Sequence, residues 1–188
     1  PLGIDGLTVT VNSIERLLAA EITIPGDISS AAFYLVAGSI AAPGSELLLK
    51  NVGMNPTRTG VIDILKLMGA NLEIQPIQNS EGEPSADIYV KPAQLCGIDI
   101  PEELVPLAID EFPAIFIAAA CATGQTRLTN AQELRVKESD RIQVMADGLN
   151  TLGIDAVPQP DGIVIQGGSI KGGTIDTHGD HRIAMAFA

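Results

Sequence analysis

Scarce cations lie close together in the segment Glu133–Gln143, whose sequence is ELRVKESDRIQ. The 188-residue chain has only 11 Lys and Arg against 23 Asp and Glu, which gives a net charge of −12. On a helix, Lys137 and Arg141 would share a face and repel each other by about 0.2–0.5 kcal/mol. Glu138 and Asp140 could offset this repulsion through opposite-charge pairs three residues apart, as on a solvated helix face. The alternative is a site in which these cations bind an anion.

A second charged motif, GDHR, ends at Arg182 and comes directly before an apolar stretch. Helix capping requires neither His181 nor Arg182, and Arg182 would oppose the partial positive charge of a helix N-terminus. An anionic ligand at that position would relieve the conflict. His178 lies three residues before His181, but no Cys or further His is near, so we predict no metal site.

Acidic residues also begin the two Ala-rich stretches that come earlier in the chain. Asp27 and Ser29 stand at the first stretch and are residue types that commonly cap a helix N-terminus. Asp110 and Glu111 stand at the second, where one acid would suffice for a cap, so both capping and chemistry remain open. Arg58, in the loop sequence NPTRTG, is either a cation of the site or a loop residue.

These motifs fall at matching points of an internal repeat. Residues 24–74 and 108–158 each contain an acidic start, an apolar helix, a Gly turn, a β-like run, a polar loop and a second helix. The second helices end at Gly69 and Gly153, which suit the left-handed position after a helix. Their apolar faces recur at helical spacing: Val61, Ile64, Leu65 and Met68 in the first, and Ile142, Met145, Leu149 and Leu152 in the second.

The repeat predicts an α/β (α+β) fold built from α-β-α-β-β units, with extra strands at ADIYVKP and GIVIQG. A third unit opens at GDHRIAMAFA, so we expect pseudo-threefold packing with the fully apolar helices buried and the sheets outside. Residues 1–23 fall outside the repeat and are assigned to the end of a preceding domain and a connection. Residues 24–188 form the repeat domain, with its third unit truncated. The ends of the sequence lead us to expect a piece of a larger protein.

Composition limits the possible partners. A pI near 4.4 argues against a nucleic-acid backbone or an anionic membrane as partner. Hydrophobic residues make up 46% of the chain and aromatic residues 3%, so the core must be aliphatic. Cys96 and Cys121 follow no metal spacing and indicate reduced thiols in a cytoplasmic protein. No apolar run approaches the roughly 20 residues of a membrane span.

The motifs VKESDR and GDHRIAM, in this order and separation, resemble those of the 5-enolpyruvylshikimate-3-phosphate synthase family, in its bacterial class II form. PGDISSAAF, NPTRTG and IDEFP strengthen the resemblance, which covers essentially the whole chain. It implies two domains of three βαβαββ-type units each, with the site in the cleft between them. It also implies transfer of the enolpyruvyl group of phosphoenolpyruvate to the 5-hydroxyl of shikimate 3-phosphate, in aromatic amino-acid biosynthesis. No metal or organic cofactor is implied, and the expected protein is a cytoplasmic monomer.

The resemblance also implies roles for individual residues. Asp110 matches the acid at the shikimate hydroxyl, a proton acceptor, and Glu138 matches a carboxylate that transfers a proton near the enolpyruvyl carbon. The remaining matches concern substrate binding. Lys137 matches a residue that binds the shikimate phosphate, and Arg141 and Arg182 match the pair that binds phosphoenolpyruvate. His181 matches a neighbouring histidine that orients the bound group. Glu133 stands where some members have Asn, so no contact is assigned to it.

Two other functions remain open. UDP-N-acetylglucosamine enolpyruvyl transferase shares the fold and the donor, although KESDR and DHR favour the shikimate enzyme. A non-catalytic anion-binding module would bind phosphate compounds without turnover. The first-domain substrate residues and a late lysine of the family are absent from this sequence, so we expect the chain alone to be inactive.

Overall fold

The computed structural model describes residues 2–13, 16, 19, 21–77 and 83–188. Its first strands, β1 (Leu2–Asp5) and β2 (Thr8–Val11), pair antiparallel in a sheet of their own. Side chains from position 3 to 13 are exposed. The assignment of residues 1–23 to a preceding domain stays a prediction, and positions 1, 14, 15, 17, 18 and 20 lie outside the described residues.

Two copies of the same unit follow, with the element order that the repeat predicts. The first contains α1 (Ile28–Ile40), β3 (Leu47–Gly53), α2 (Gly60–Leu67), β4 (Asn71–Pro76) and β5 (Ser85–Lys91). The second contains α3 (Phe112–Cys121), β6 (Gln125–Leu128), α4 (Arg141–Thr151), β7 (Asp155–Gln159) and β8 (Gly162–Gln166). A last helix, α5 (His181–Phe187), begins the third unit. Short 3-10 helices at Glu102–Leu104, Pro106–Ala108 and Gln132–Val136 complete the described elements.

Each unit builds its own three-stranded antiparallel sheet, and the two sheets have equivalent strand orders. In each one the last strand lies in the middle, which gives the orders β3-β5-β4 and β6-β8-β7. Ile88 of β5 pairs with Leu49 on one side and Ile74 on the other, and Ile165 of β8 pairs with Thr126 and Ala156. Both central residues are fully buried, because one face of each sheet packs against helices.

The apolar helices occupy the centre. α3 packs against both α1 and α5, and Phe112, Ile115 and Phe116 are buried within it. A helix that is apolar on all sides must be covered on all sides, which explains this position. α1, α3 and α5 together line one apolar groove, in agreement with the predicted pseudo-threefold packing. No helix among the described residues is long and apolar enough to cross a membrane.

The second helices bury the faces that their spacing predicts. Every residue of the predicted face of α2 is fully buried, and on the α4 side only Leu152 is partly exposed. Both helices end in a Schellman motif: Ala70 N–H donates to Leu65 O, and Ile154 N–H donates to Leu149 O. The intervening Gly69 has a φ of 91°, which favours glycine.

Candidate active site

Three cations surround the carboxylate of Asp110, which lies two residues before the start of α3. Arg141 Nη1 is 3.4 Å and Lys137 Nζ is 3.5 Å from Asp110 Oδ1. Arg182 Nη2 is 3.9 Å from Asp110 Oδ2, and its Nη1 donates to the Asp110 main-chain oxygen at 3.3 Å. The loop before α3, the loop before α4 and the first turn of α5 therefore meet at this acid.

The guanidinium of Arg141 is buried. Its side chain is 1% exposed and forms ion pairs with Glu138, with Asp110 and with Asp180. Nη2 is 2.5 Å from Glu138 Oε2, and Nε is 2.9 Å from Asp180 Oδ2. Burial of a guanidinium is costly unless acids pair with it, and these carboxylates supply that pairing. The alternative of a solvated helix face is therefore wrong for Arg141.

Lys137 and Arg141 are not on one helix. Lys137 directly follows the 3-10 helix Gln132–Val136. α4 begins at Arg141 because Asp140 caps it, with Oδ1 accepting from the Gln143 N–H at 3.0 Å. The two residues therefore share no helix face, and both instead contact the Asp110 carboxylate, whose negative charge offsets their mutual repulsion. Among the described ion pairs, Lys137 joins Asp110 and Glu133, at 2.5 Å from Glu133 Oε1, and not Asp140. The hydrogen bond to Glu133 raises the pKa of Lys137, with the Asp110 charge acting in the same direction.

Asp180, which sequence reasoning did not select as a site residue, joins two helix starts. It is fully buried, and its Oδ1 accepts from the Arg182 N–H at 2.9 Å, which caps α5. Its Oδ2 accepts from Arg141 Nε and from Ser139 Oγ. Burial alone would raise the pKa of Asp180, but the hydrogen bond and charge of Arg141 outweigh it and hold the pKa below its ordinary value. The recurrence of GD at residues 26–27 and 179–180 was the signal for this residue.

His181 and Glu138 differ in how closely they join this group. The Glu138 side chain is about half exposed while it pairs with Arg141, so it is accessible to a substrate. His181 is the first residue of α5 and is exposed. Within the described residues, its side chain takes part in none of the hydrogen bonds or ion pairs. The structure thus brings Asp110, Lys137, Glu138, Arg141 and Arg182 together, and leaves His181 beside them.

A second polar cluster joins the starts of α1 and α3. Ser29 Oγ donates to Glu111 Oε1, and Arg58 Nη2 donates to Ser29 Oγ at 2.7 Å. Arg58 also reaches Asp27 Oδ1 at 3.2 Å, while Asp27 Oδ2 accepts from the Ser30 N–H and caps α1 as predicted. Ser29 is not a cap, contrary to expectation, because its hydroxyl is turned toward Glu111. The neighbouring acid of Asp110 and the Arg of the NPTRTG loop were the sequence signals for this cluster.

Glu111 is a buried acid, with 4% of its surface exposed. Burial raises its pKa, and the nearby Asp110 charge adds to this, while the Ser29 hydrogen bond and the Arg182 and Arg58 charges act against it. Glu111 occupies the cap position of α3 but makes no side-chain cap hydrogen bond. The question of whether this acid serves as a cap is thus answered in the negative.

Close packing fixes the loop that carries Asp110. A Cβ at Gly60, the first residue of α2, would lie 2.8 Å from the main-chain carbonyl carbon of Leu107. The start of α2 and the loop before α3 can approach this closely only because residue 60 has no side chain. The NPTRTG loop, which ends at Gly60, therefore packs against the segment that leads into Asp110.

The arrangement suits a small, multiply charged anion. Guanidinium groups bind carboxylate and phosphate in bidentate fashion, and Lys contributes a point charge. The partly exposed carboxylates of Asp110 and Glu138 can accept or deliver a proton. Among the described residues, no group of three or more His, Cys, Asp or Glu is arranged to hold a metal ion.

Comparison with known proteins finds relatives that match the whole length of this chain. The family model for EPSP synthase (3-phosphoshikimate 1-carboxyvinyltransferase) matches residues 4–188. The 3-phosphoshikimate 1-carboxyvinyltransferase of Methylococcus capsulatus is 61% identical over 188 residues, which are 100% of this chain and 43% of that protein. The protein of the same name from Nitrosococcus oceani is 59% identical, with 100% and 42% covered.

A solved structure is similar over the same length. The EPSP synthase from Acinetobacter baumannii matches with a TM-score of 0.94 and 53% identity, over 100% of this chain and 44% of that one. The chain thus spans less than half the length of the relatives that it matches.

Proposed function

Because the chain belongs to the EPSP synthase family, we propose that it takes part in enolpyruvyl transfer from phosphoenolpyruvate to the 5-hydroxyl of shikimate 3-phosphate, which releases phosphate. One observation carries the proposal: Lys137, Arg141 and Arg182 converge on Asp110 in a protein of net charge −12. Such a concentration of cations matches a pair of substrates that bear phosphate and carboxylate groups.

In this proposal each charged group has one task. Arg141 and Arg182 bind phosphoenolpyruvate, Lys137 binds the shikimate phosphate, and His181 orients the bound group. Asp110 accepts the proton of the 5-hydroxyl as its oxygen bonds to the enol carbon. Glu138 delivers a proton to the terminal methylene, which becomes a methyl group, and takes a proton back from that methyl group as the C–O bond to phosphate breaks. Asp110 passes the hydroxyl proton to the departing phosphate, so both carboxyl groups return to their starting states. The product is the enolpyruvyl ether, and no metal or organic cofactor enters these steps.

Arg141 takes part in this scheme through its two partly exposed partners. Its own side chain is 1% exposed, so phosphoenolpyruvate takes the place of the Asp110 or Glu138 carboxylate on the guanidinium. The buried Asp180 meanwhile holds Nε in one geometry, so Arg141 loses little conformational freedom when a substrate binds. Lys137 and Arg182 are only partly buried, and they present their charges at the surface of the site.

We further propose that the additional length present in the relatives supplies the other side of the cleft, with residues 1–23 at the end of that preceding domain. The chain alone is then inactive. Free thiols at Cys96 and Cys121 support a cytoplasmic location, and the family resemblance supports a monomer.

The test is reconstitution. The chain would be mixed with the separately produced remainder of the Methylococcus capsulatus relative, and phosphate release from phosphoenolpyruvate and shikimate 3-phosphate would be followed. We expect release by the mixture and none by either part alone. Glu138→Ala should abolish it, whereas Glu103→Ala, an exposed acid in a 3-10 helix outside the site, should not.

Other outcomes identify the alternatives. Release with UDP-N-acetylglucosamine as acceptor, and none with shikimate 3-phosphate, would indicate the other enolpyruvyl transferase. Binding of phosphoenolpyruvate with no turnover in a folded mixture would indicate an anion-binding module.

A further inference from the structure

The Ser29–Glu111 hydrogen bond connects two helices that are far apart in sequence. Ser29 lies in the first turn of α1, and Glu111 comes directly before α3, 82 positions later. Both side chains are buried, at 2% and 4% exposure. The hydrogen bond therefore connects the start of α3, in the second unit, to the start of α1, in the first unit.

The direction of each hydrogen bond in this cluster follows from its donors. The Arg58 guanidinium has donors and no acceptor, so Ser29 Oγ must accept from it. The single hydroxyl proton of Ser29 is then free to go to Glu111, and Glu111 Oε1 accepts it. The Ser29 hydroxyl thus forms a hydrogen-bonded bridge between the Arg58 guanidinium and the buried Glu111 carboxylate.

Helix capping does not account for Glu111. Its carboxylate makes no cap hydrogen bond, and an acid buried at this depth is costly unless it is paired. The main chain next to Glu111 belongs to the candidate active site. Asp110 is joined to Glu111 by a peptide bond, and Arg182 Nη1 donates to the carbonyl oxygen of that same peptide bond.

We propose that Glu111 is a positioning residue for the reaction: held by Ser29 and Arg58, it fixes the main chain at Asp110 and the side chain of Arg182. This inference rests on the proposed function. It adds the first unit, through Ser29 and Arg58, to the machinery that the second and third units supply. The NPTRTG loop acts on the site through Glu111 and does not itself touch substrate.

Ser29→Ala tests the inference in the reconstituted protein, and Ser39→Ala is its matched control. Ser39 is also a buried serine of α1, but its hydroxyl donates to Leu35 O of the same helix at 2.7 Å. Both variants lose one buried serine hydroxyl, and a purely structural role would change the stability of the protein and not the kcat of the folded enzyme. We expect Ser29→Ala to lower kcat about tenfold, less than the roughly 100-fold that a 1 Å misplacement can cause. The KM values should stay within about twofold, and Ser39→Ala should leave kcat within about twofold.

Substitution at Glu111 separates its hydrogen bond from its volume. Glu111→Gln keeps an acceptor for Ser29 and should retain more of kcat than Glu111→Leu. An unsubstituted mixture that releases no phosphate overturns the proposed function and this inference together. Equal kcat values for the Ser29 and Ser39 variants, in an active mixture, overturn only the positioning role.

A readout that does not need activity is the Nε resonance of Arg182 in the ¹⁵N-labelled chain. Ser29→Ala should shift this resonance, because Arg182 donates to the carbonyl of the Asp110–Glu111 peptide bond, and Glu111 loses the hydrogen bond that holds it in place. Ser39→Ala should not shift it. An Arg182 Nε resonance at the same position in both variants would contradict the proposal.

Discussion

Replacing Asp180 by Ala should lower the free energy of unfolding by about 4 kcal/mol. Removing one partner of a buried ion pair costs about 3–5 kcal/mol because the other charge is left uncompensated. Arg141 keeps Glu138 and Asp110 as neighbours, so the lower end, about 3 kcal/mol, applies. Loss of the cap of α5 adds about 1 kcal/mol.

Asp27→Ala is the matched control, since Asp27 caps α1 in the same way. Its ion pair with Arg58 is half exposed on both sides and contributes at most about 1 kcal/mol. With about 1 kcal/mol for the cap, the control should lose about 1–2 kcal/mol. The excess loss in Asp180→Ala measures the uncompensated charge of Arg141.

Asp180→Asn separates the cap from the charge. Asn caps a helix as well as Asp does, so this variant should keep the cap and lose only the roughly 3 kcal/mol that comes from the missing negative charge beside Arg141. The assay is urea unfolding of the chain followed by circular dichroism, with an unchanged slope required for the comparison. An Asp180→Ala loss no larger than that of Asp27→Ala would refute the assignment of Arg141 as a buried, paired cation.

The same pair predicts a pH dependence. Arg141 lowers the pKa of Asp180 despite the opposing effect of burial, so the folded state favours the ionised acid. Its contribution to stability is present above the unfolded value of 3.8 and is lost as the pH falls through the lower folded value. The stability difference between the natural chain and Asp180→Asn should therefore shrink as the solution is acidified. A difference that stays constant with pH would contradict this coupling.

Two further predictions concern the substrate and the packing of the loop. Arg182→Glu should weaken phosphoenolpyruvate binding to the reconstituted protein about 100-fold by calorimetry, because a charge-assisted hydrogen bond of about 1.5–3 kcal/mol is replaced by repulsion. The control Arg127→Glu, on the exposed edge of the second sheet, should leave binding within about twofold. Equal effects of the two substitutions would contradict the assignment of Arg182 to phosphoenolpyruvate. Gly60→Ala should cost about 1–3 kcal/mol in urea unfolding because its Cβ would meet the Leu107 main chain, whereas Gly172→Ala, whose Cβ would meet nothing within 4 Å, should cost much less.

The elements of the fold were predictable because their signals are local. Helical spacing, β-like runs and the glycines at 69 and 153 each depend on a few neighbouring residues, and the structure confirms the element order that they predict. The start of α4 was harder to predict from the sequence. Lys137 and Arg141 have helical spacing, but capping by Asp140 begins the helix only at Arg141.

The membership of the charged cluster at Asp110 was predictable, and its contacts were less so. Family resemblance selected Asp110 and its cations from motifs, and the structure brings them together. The burial of Arg141 depends on Asp180, 39 positions away, and Ser29 meets Glu111 across 82 positions. Spacing within one helix carries no information on such contacts, because they arise when separate units pack. The capping role expected of Ser29 failed for this reason.

The central claim is that the scarce cations of this acidic chain bind an anionic substrate. It is tested most directly by the arginine side-chain ¹⁵N resonances of the reconstituted protein during titration with phosphoenolpyruvate and shikimate 3-phosphate. The account predicts that Arg141 and Arg182 shift with saturation while the exposed Arg127 does not. Saturating shifts confined to arginines outside the Asp110 group, with Arg141 and Arg182 unchanged, would contradict it.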